Sequence, residues 1–233
     1  MERSKRMVER HLADMKGADR GQLVAIEAET LKRTMDDTDF FALRFRRFPI
    51  EVVPEPPLQP NNIFVALGEK VIHVADKEAL KRFLKKHLKP ARDVKSIVAA
   101  TDSCLRLFQE IHHDGFFEFE APSVKATDQT SEGEVKVVKQ RGDKGELTVK
   151  LRIDQGKVIE LEFGGQPIPG IRPKCQAARL LDPDPVIREI MRRDILVMGR
   201  ACQPYLDEVR AAADPELRNA IDAVWQQILD EDR

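Results

Sequence analysis

Cysteine is scarce in this chain of 233 residues, with three in all. Cys104, Cys175 and Cys202 are widely spaced, odd in number and never paired as Cys-x-x-Cys, which argues against a disulfide framework and against a zinc or other metal site. Three reduced thiols are expected. Long apolar runs are missing as well: none approaches the roughly 18 residues that a membrane helix needs, so no membrane insertion is expected. The balance of charge lacks a dominant sign, because 39 basic and 40 acidic side chains leave a formal charge of -1, and the molecule as a whole has no field directed at a polyanion. No glycine-rich loop follows a strand, and Ser123, Thr130 and Ser131 have no matching His and Asp, so the phosphate-cradle and hydrolase signatures are absent and no cofactor is implied. Residues 1–16 are charged throughout and lack the apolar stretch of a signal peptide, which predicts a cytoplasmic protein, or an exported one if a leader has been removed.

What is present is a mixed pattern of helices and strands, long enough to bury about 70 % of the unfolded surface without disulfides or metal. Val8, Leu12 and Met15 recur at helical spacing, as do Leu23, Ile26 and Leu31, so residues 4–35 read as two helices broken by Gly17 and Gly21. From Phe41 the period changes to two: Phe41, Leu43 and Phe45 alternate with Ala42, Arg44 and Arg46, a strand with one buried face and its arginines outward. Pro54, Pro56, Pro57 and Pro60 then stiffen a loop, which could also serve as a polyproline ligand. Residues 63–67 and 70–74 flank Gly68-Glu69 as a hairpin. A helix over 75–88 has Asp76 as its cap and Leu80, Phe83 and Leu84 on one face; a longer one over 93–114 carries Ile97, Cys104, Leu105 and Phe108 and stops at Gly115. Four strands follow, at Phe117 and Phe119, before Gly142, at 147–153 and at 159–163, with one polar face and one that the long helix must cover.

Residues 180–188 read Leu-Leu-Asp-Pro-Asp-Pro-Val-Ile-Arg, followed by Leu196-Val197-Met198-Gly199-Arg200-Ala201 and Pro204-Tyr205-Leu206. This segment resembles a single HEAT repeat, whose first helix opens on Asp-Pro, closes on Leu-x-x-Gly and is followed by a second helix after a Pro-aliphatic step. Asp214-Pro215-Glu216 repeats the cap signal and starts a last helix with Leu217, Ile221, Val224, Trp225 and Ile228, on which the lone tryptophan is expected to be buried. Such a hairpin implies a packing and docking unit without chemistry of its own. One repeat plus one helix falls short of the about three that a solenoid needs, so this tail must cover itself on the main domain or on a partner. The order of one long helix and four antiparallel strands is also similar to cystatin-like and nuclear-transport-factor-like folds. The fold class is therefore α+β: N-terminal helices in an arm at 1–36, an antiparallel sheet covered by a long helix at 37–172, and a HEAT-like helical tail at 173–233.

The candidate acid–base groups are His112, His113, Asp114 and His73. Adjacent histidines on a helix diverge by about 100°, so His112 and His113 do not form a metal pair. The strongest charge anomaly is residues 77–92, where seven basic side chains oppose Glu78 alone, a net of +6, with Lys81, Arg82, Lys85, Lys86 and Lys89 as the candidate binding set. Residues 182–233 carry twelve acids and seven arginines, a net of -5. Phe40 to Phe48 interleaves aromatics with arginines, but strand alternation separates the two types onto opposite faces. Arg141-Gly142-Asp143 reads as a turn rather than an adhesion motif. The expected function is binding, through an unidentified protein partner, rather than catalysis, with self-association open. One alternative is a small-molecule-binding or hydrolytic domain with a pocket between sheet and helix. Another is nucleic-acid binding through the basic helix, disfavoured because no helix-turn-helix, finger or stacking motif accompanies it.

Overall fold

The structure, a computed structural model, describes residues 1–45, 54–59, 61–113, 117–138, 142–168 and 176–231. The Pro54–Pro60 loop is thus described only at 54–59, and Cys175, Arg46 and Asp114 lie outside the described residues, as does Gly115. Two compact units divide the chain. The first contains α1 (Glu2–Ala13), β1 (Gly21–Ile26), α2 (Glu29–Thr34), β2 (Thr38–Phe45), β3 (Asn61–Leu67), β4 (Lys70–Val74), α3 (Lys77–His87), α4 (Val94–Ile111), β5 (Ser123–Ala126), β6 (Thr130–Lys136), β7 (Lys144–Asp154) and β8 (Lys157–Ile168). The second contains α5 (Pro185–Met198), α6 (Gln203–Ala212) and α7 (Pro215–Glu231). Strands β1 to β4 form one antiparallel sheet in sequence order and β5 to β8 form another, which makes the class α+β.

The first sheet is buried on both faces. Phe40, Ala42, Ile63 and Val65 face a core shared with α3 and α4, whereas Phe41, Leu43, Phe45 and Phe64 face Val8 and Leu12 of α1. The structure departs from the expected pattern in two places. The N-terminal arm is not helical throughout: residues 21–26 are a strand paired along β2, with Leu23 opposite Leu43 and Ile26 opposite Phe40. A three-residue spacing that places Leu23 and Ile26 on one side of a helix places them on opposite sides of a strand, and each side here has a core to meet. The second correction concerns β2, expected to be apolar on one face with its arginines outward. Arg44 instead lies on the α4 side, where its guanidinium donates to Glu110 Oε2 at 2.6 Å, and Glu110 is only 8 % exposed.

Local signals set α3, α4 and the β3–β4 hairpin. Gly68 takes φ of +57° in the two-residue turn, and Asp76 accepts the Ala79 amide at 2.7 Å to start α3. Asp93 and Ser96 form a reciprocal capping box at the start of α4, with the Ser96 amide on Asp93 Oδ1 at 2.7 Å and the Asp93 amide on Ser96 Oγ at 3.1 Å. The helix ends at Ile111 with His112 as its cap, before the expected Gly115.

Helix α4 packs against both sheets, and its side chains are buried on nearly every turn, from Ile97 to Glu110. Val135, Leu147, Val149, Leu151 and Leu161 of the second sheet face it, and the outer side of that sheet is polar, with Lys150–Glu132 and Arg152–Glu160 pairs at 3.1 and 3.2 Å. The first strand of this sheet is Ser123–Ala126 rather than the segment at Phe117 and Phe119; Phe119 makes only an isolated bridge to Val137.

In the second unit, Asp184 caps α5 through the Val186 amide at 2.8 Å, and Gly199 ends it at φ of +57°. Ile195, Met198, Leu206, Ile221, Val224 and Ile228 make its core. Trp225 is half-buried at the edge of that core, because Val224 and Ile228 occupy the inward positions.

Close approach of α4 to β6 requires Gly133, since a Cβ there would meet Leu105 Cδ1 and Thr101 Cγ2, each at 2.7 Å. Both neighbours are buried and cannot swing into solvent. Gly133→Val is expected to cost about 1–3 kcal/mol through overpacking, read as a lower denaturation midpoint with an unchanged m-value. A midpoint equal to that of the parent protein would show that α4 does not rest on β6 as described.

Candidate functional site

A helix buried on two sides keeps a third stripe. On α4 that stripe is Lys95, Val98, Ala99, Asp102, Arg106 and Gln109, recurring at helical spacing and left outside both sheets. The neighbouring walls are α2 and the segment from Pro122 into β5, so the stripe becomes the floor of a groove. Its larger part is a cleft of about 740 Å³ over the first half of α4, closed at one end by the chain between α3 and α4. A smaller cavity of about 330 Å³ continues toward Gln109, and both share Thr30, Asp102 and Pro122. The Thr30 hydroxyl donates to Asp102 Oδ2 at 2.7 Å and forms the ridge between them.

The floor is shallow in side chain because Ser96, Ala99 and Ala100 are small. Pro90, Ala91, Val98, Pro122 and Val124 add apolar walls. Arg33, Lys89 and Lys95 supply positive charge, and Asp93 and Asp102 the negative. The two carboxylates are engaged in the fold: Asp102 accepts Thr30, and hydrogen bonding to the Ser96 amide holds the Asp93 carboxyl below its ordinary value. Among the cations, Arg33 pairs with Glu29 and Lys89 with Asp36 at 2.5 Å, while Lys95 makes no ion pair among the described residues. Dimensions of this order suit a small organic ligand.

Of the expected binding set, the structure brings only Lys89 to this cleft. Lys81, Arg82, Lys85 and Lys86 stay on the outer side of α3, opposite Leu80, Phe83 and Leu84, and Lys85 Nζ donates to the Ile159 carbonyl at 3.3 Å. Arg33 and Lys95 belong to the cleft and escaped the sequence reading. A signal for it existed in the small residues at 96, 99 and 100, which mark a face of α4 without bulk.

The acid–base candidates do not converge. His73 stacks on Phe64 with ring centroids 4.6 Å apart, on the α1 side of the first sheet, and its Nε2 meets Asn62 Oδ1 at 2.8 Å. His112 caps α4 on the other side, edge-on to Phe108 at 4.8 Å. His113 follows with its amide on the Glu110 carbonyl, and Asp114 is outside the described residues.

No family model matches the chain, and neither curated proteins nor solved structures provide a match. Among the described residues no group of three or more His, Cys, Asp or Glu could hold a metal, and no helix is long and apolar enough to cross a membrane.

Burial depresses the basicity of both His73 and His112, with the charge of His11 adding to the effect at His73 and that of Lys77 at His112. A histidine whose folded pKa lies below its ordinary 6.5 binds a proton more readily when unfolded. Its contribution to stability is present above that value and is lost as pH falls toward the folded pKa. Urea unfolding between about pH 7.5 and pH 5 should therefore show stability declining with acid, and His73→Phe, which keeps the stack on Phe64, should flatten the decline. An identical slope in the variant would mean that His73 titrates normally in the folded protein.

Proposed function

We propose that this is a binding protein that works by docking, with the helical tail as its interaction element. The observation that carries the reading is the start of the tail, where Val186, Ile190 and Leu181 are 64, 47 and 40 % exposed. Val186 and Ile190 stand one turn apart on α5, so they form a short ridge rather than scattered apolar residues. In a HEAT-type arrangement the next repeat covers this ridge, and a partner protein would do so here. The tail needs no partner for its own fold, since its core is made by α5, α6 and α7, with Arg210 bidentate on Asp222 at 2.6 and 3.0 Å between the last two.

Val186→Glu with Ile190→Glu tests this reading. Both positions are exposed, so stability should stay within about 0.5 kcal/mol of the parent. A subset of proteins co-purifying with the parent chain should disappear from the double variant, or self-association should disappear in sedimentation if the partner is a second copy. Unchanged associations in both experiments would remove the docking role from α5. The rival nucleic-acid reading of α3 forecasts binding to random-sequence DNA whose log affinity falls linearly with log salt.

A second reading is favoured by the cleft beside α4. Its volume, apolar walls and converging charged groups fit small-molecule binding, and its chemistry fits recognition better than acid–base catalysis, because its charged groups are lysine, arginine and structurally engaged aspartates.

A further inference from the structure

We propose that the cleft beside α4 takes a small amphipathic anion, an apolar body with a carboxylate or phosphate head. This rests on the ligand-binding reading of that cleft and gives its ligand a chemical class. The apolar part follows from the walls: Pro90, Ala91, Val98, Ala99, Pro122 and Val124 offer no side-chain hydrogen bond, so a polar body would lose water without replacement there. Burying an apolar body against them gains about 25 cal/mol per Å².

The anionic head follows from which charges are available. Asp93 accepts the Ser96 amide and Asp102 the Thr30 hydroxyl, so both carboxylates are positioned by the fold, and Arg33, Lys89 and Lys95 outnumber them along the lining. The cations are differently placed. Lys95 makes no close ion pair among the described residues, although its charge acts on the nearby Asp93 carboxyl, and the carboxylates opposite Arg33 and Lys89 are 79 and 76 % exposed. Exposed pairs of this kind are worth only about 0–1 kcal/mol, so an anion in the cleft can exchange for Glu29 and Asp36. Arg92, whose side chain approaches Gly156 beside Pro90, and the lysines of α3 add positive potential on the same unit and favour approach of an anion.

Titration calorimetry on the full chain tests the idea with four probes of one tail length, each below its critical micelle concentration: decanoate, decyl phosphate, decyl maltoside and decyltrimethylammonium. The two anions should bind and the cation should not, with the maltoside weaker than either anion; preference between decanoate and decyl phosphate identifies the head group. Lys95→Glu should weaken anion binding about tenfold or more, equivalent to ~1.4 kcal/mol. Ala99→Phe, which fills the floor, should abolish binding, and Pro122→Trp from the facing wall repeats the block if Ala99→Phe does not fold by its thermal melt. If decanoate binds the blocked variants as well as the parent, the site lies elsewhere and the cleft reading falls with the proposal. If the block works but maltoside and decanoate bind alike and Lys95→Glu changes nothing, the cleft remains a ligand site and the anionic class is wrong. Failure of all four probes to bind overturns both.

Discussion

The first unit depends on one helix being buried between two sheets. Helix α4 is buried over most of its circumference, so a single covering surface cannot satisfy it; it needs a sheet on each side. Non-directional apolar packing would leave its rotation and axial position loosely specified. Direction comes from polar groups along its length, each of which must find a partner once water is excluded. Thr101 donates to Ser131 Oγ on β6 at 2.7 Å, Ser103 meets Thr34 of α2 at 2.8 Å, and Glu110 receives Arg44 of β2. Asn61 Nδ2 on β3 donates to the terminal Ile111 carbonyl. These bonds reach the second sheet, α2 and the first sheet in turn, so a rotation of α4 by one residue would orphan several buried polar groups together. The packing supplies most of the energy and the polar contacts select the register.

The cleft is a geometrical consequence of that arrangement. Two sheets can flank a helix but cannot enclose it, and the remaining stripe is left to whatever covers it. The six-residue α2 covers part of it, held by Thr34 on Ser103 and Thr30 on Asp102, and is too short to close the groove. The same small residues that let α4 be approached closely leave the floor without bulk. A site formed in this way sits on a rigid helix anchored at both ends, by the capping box at Asp93 and by Asn61 at Ile111. Recognition gains from such preorganisation, because less ordering entropy is lost on binding.

Features set by a few neighbouring residues were legible in the sequence. The Gly68-Glu69 turn, the cap at Asp76, and the Pro185 start and Gly199 stop of α5 are local bargains between backbone and side chain, and each appears at its expected residue. The long alternation in β7 and β8 was equally readable, since one face meets a core and the other meets water. What escaped depends on elements distant in the chain. Leu23 and Ile26 satisfy helical and strand spacing alike, and only the open edge of β2 decides between them. Arg44 reads as an outward residue until α4 places a buried carboxylate opposite it, and β2 reads as one-sided until α1 covers its second face. The cleft joins α2, the α3–α4 connection, α4 and β5, so no window of neighbouring residues contains it. Its small-residue face was visible, but small residues on a helix mark close packing as readily as a cavity, and only the third dimension separates the two.

The placement of the histidines bears on what kind of function the fold can support. A general base and its partner must reach one substrate within hydrogen-bond distance. His73 and His112 are separated by the first sheet, and each is tied into the structure that separates them: His73 through Phe64 and Asn62, His112 through the end of α4 and Phe108. Bringing them together would require displacing β3, whose Ile63, Phe64 and Val65 are among the most deeply buried residues of the molecule. The rearrangement would expose both cores, a cost far beyond the few kcal/mol that conformational switching draws on. Chemistry at this pair is therefore opposed by the packing itself. The groups that line the cleft are three cations, two aspartates tied to the fold by hydrogen bonds, and small apolar walls. That lining is the physical basis of the ligand-binding proposal for the α4 cleft.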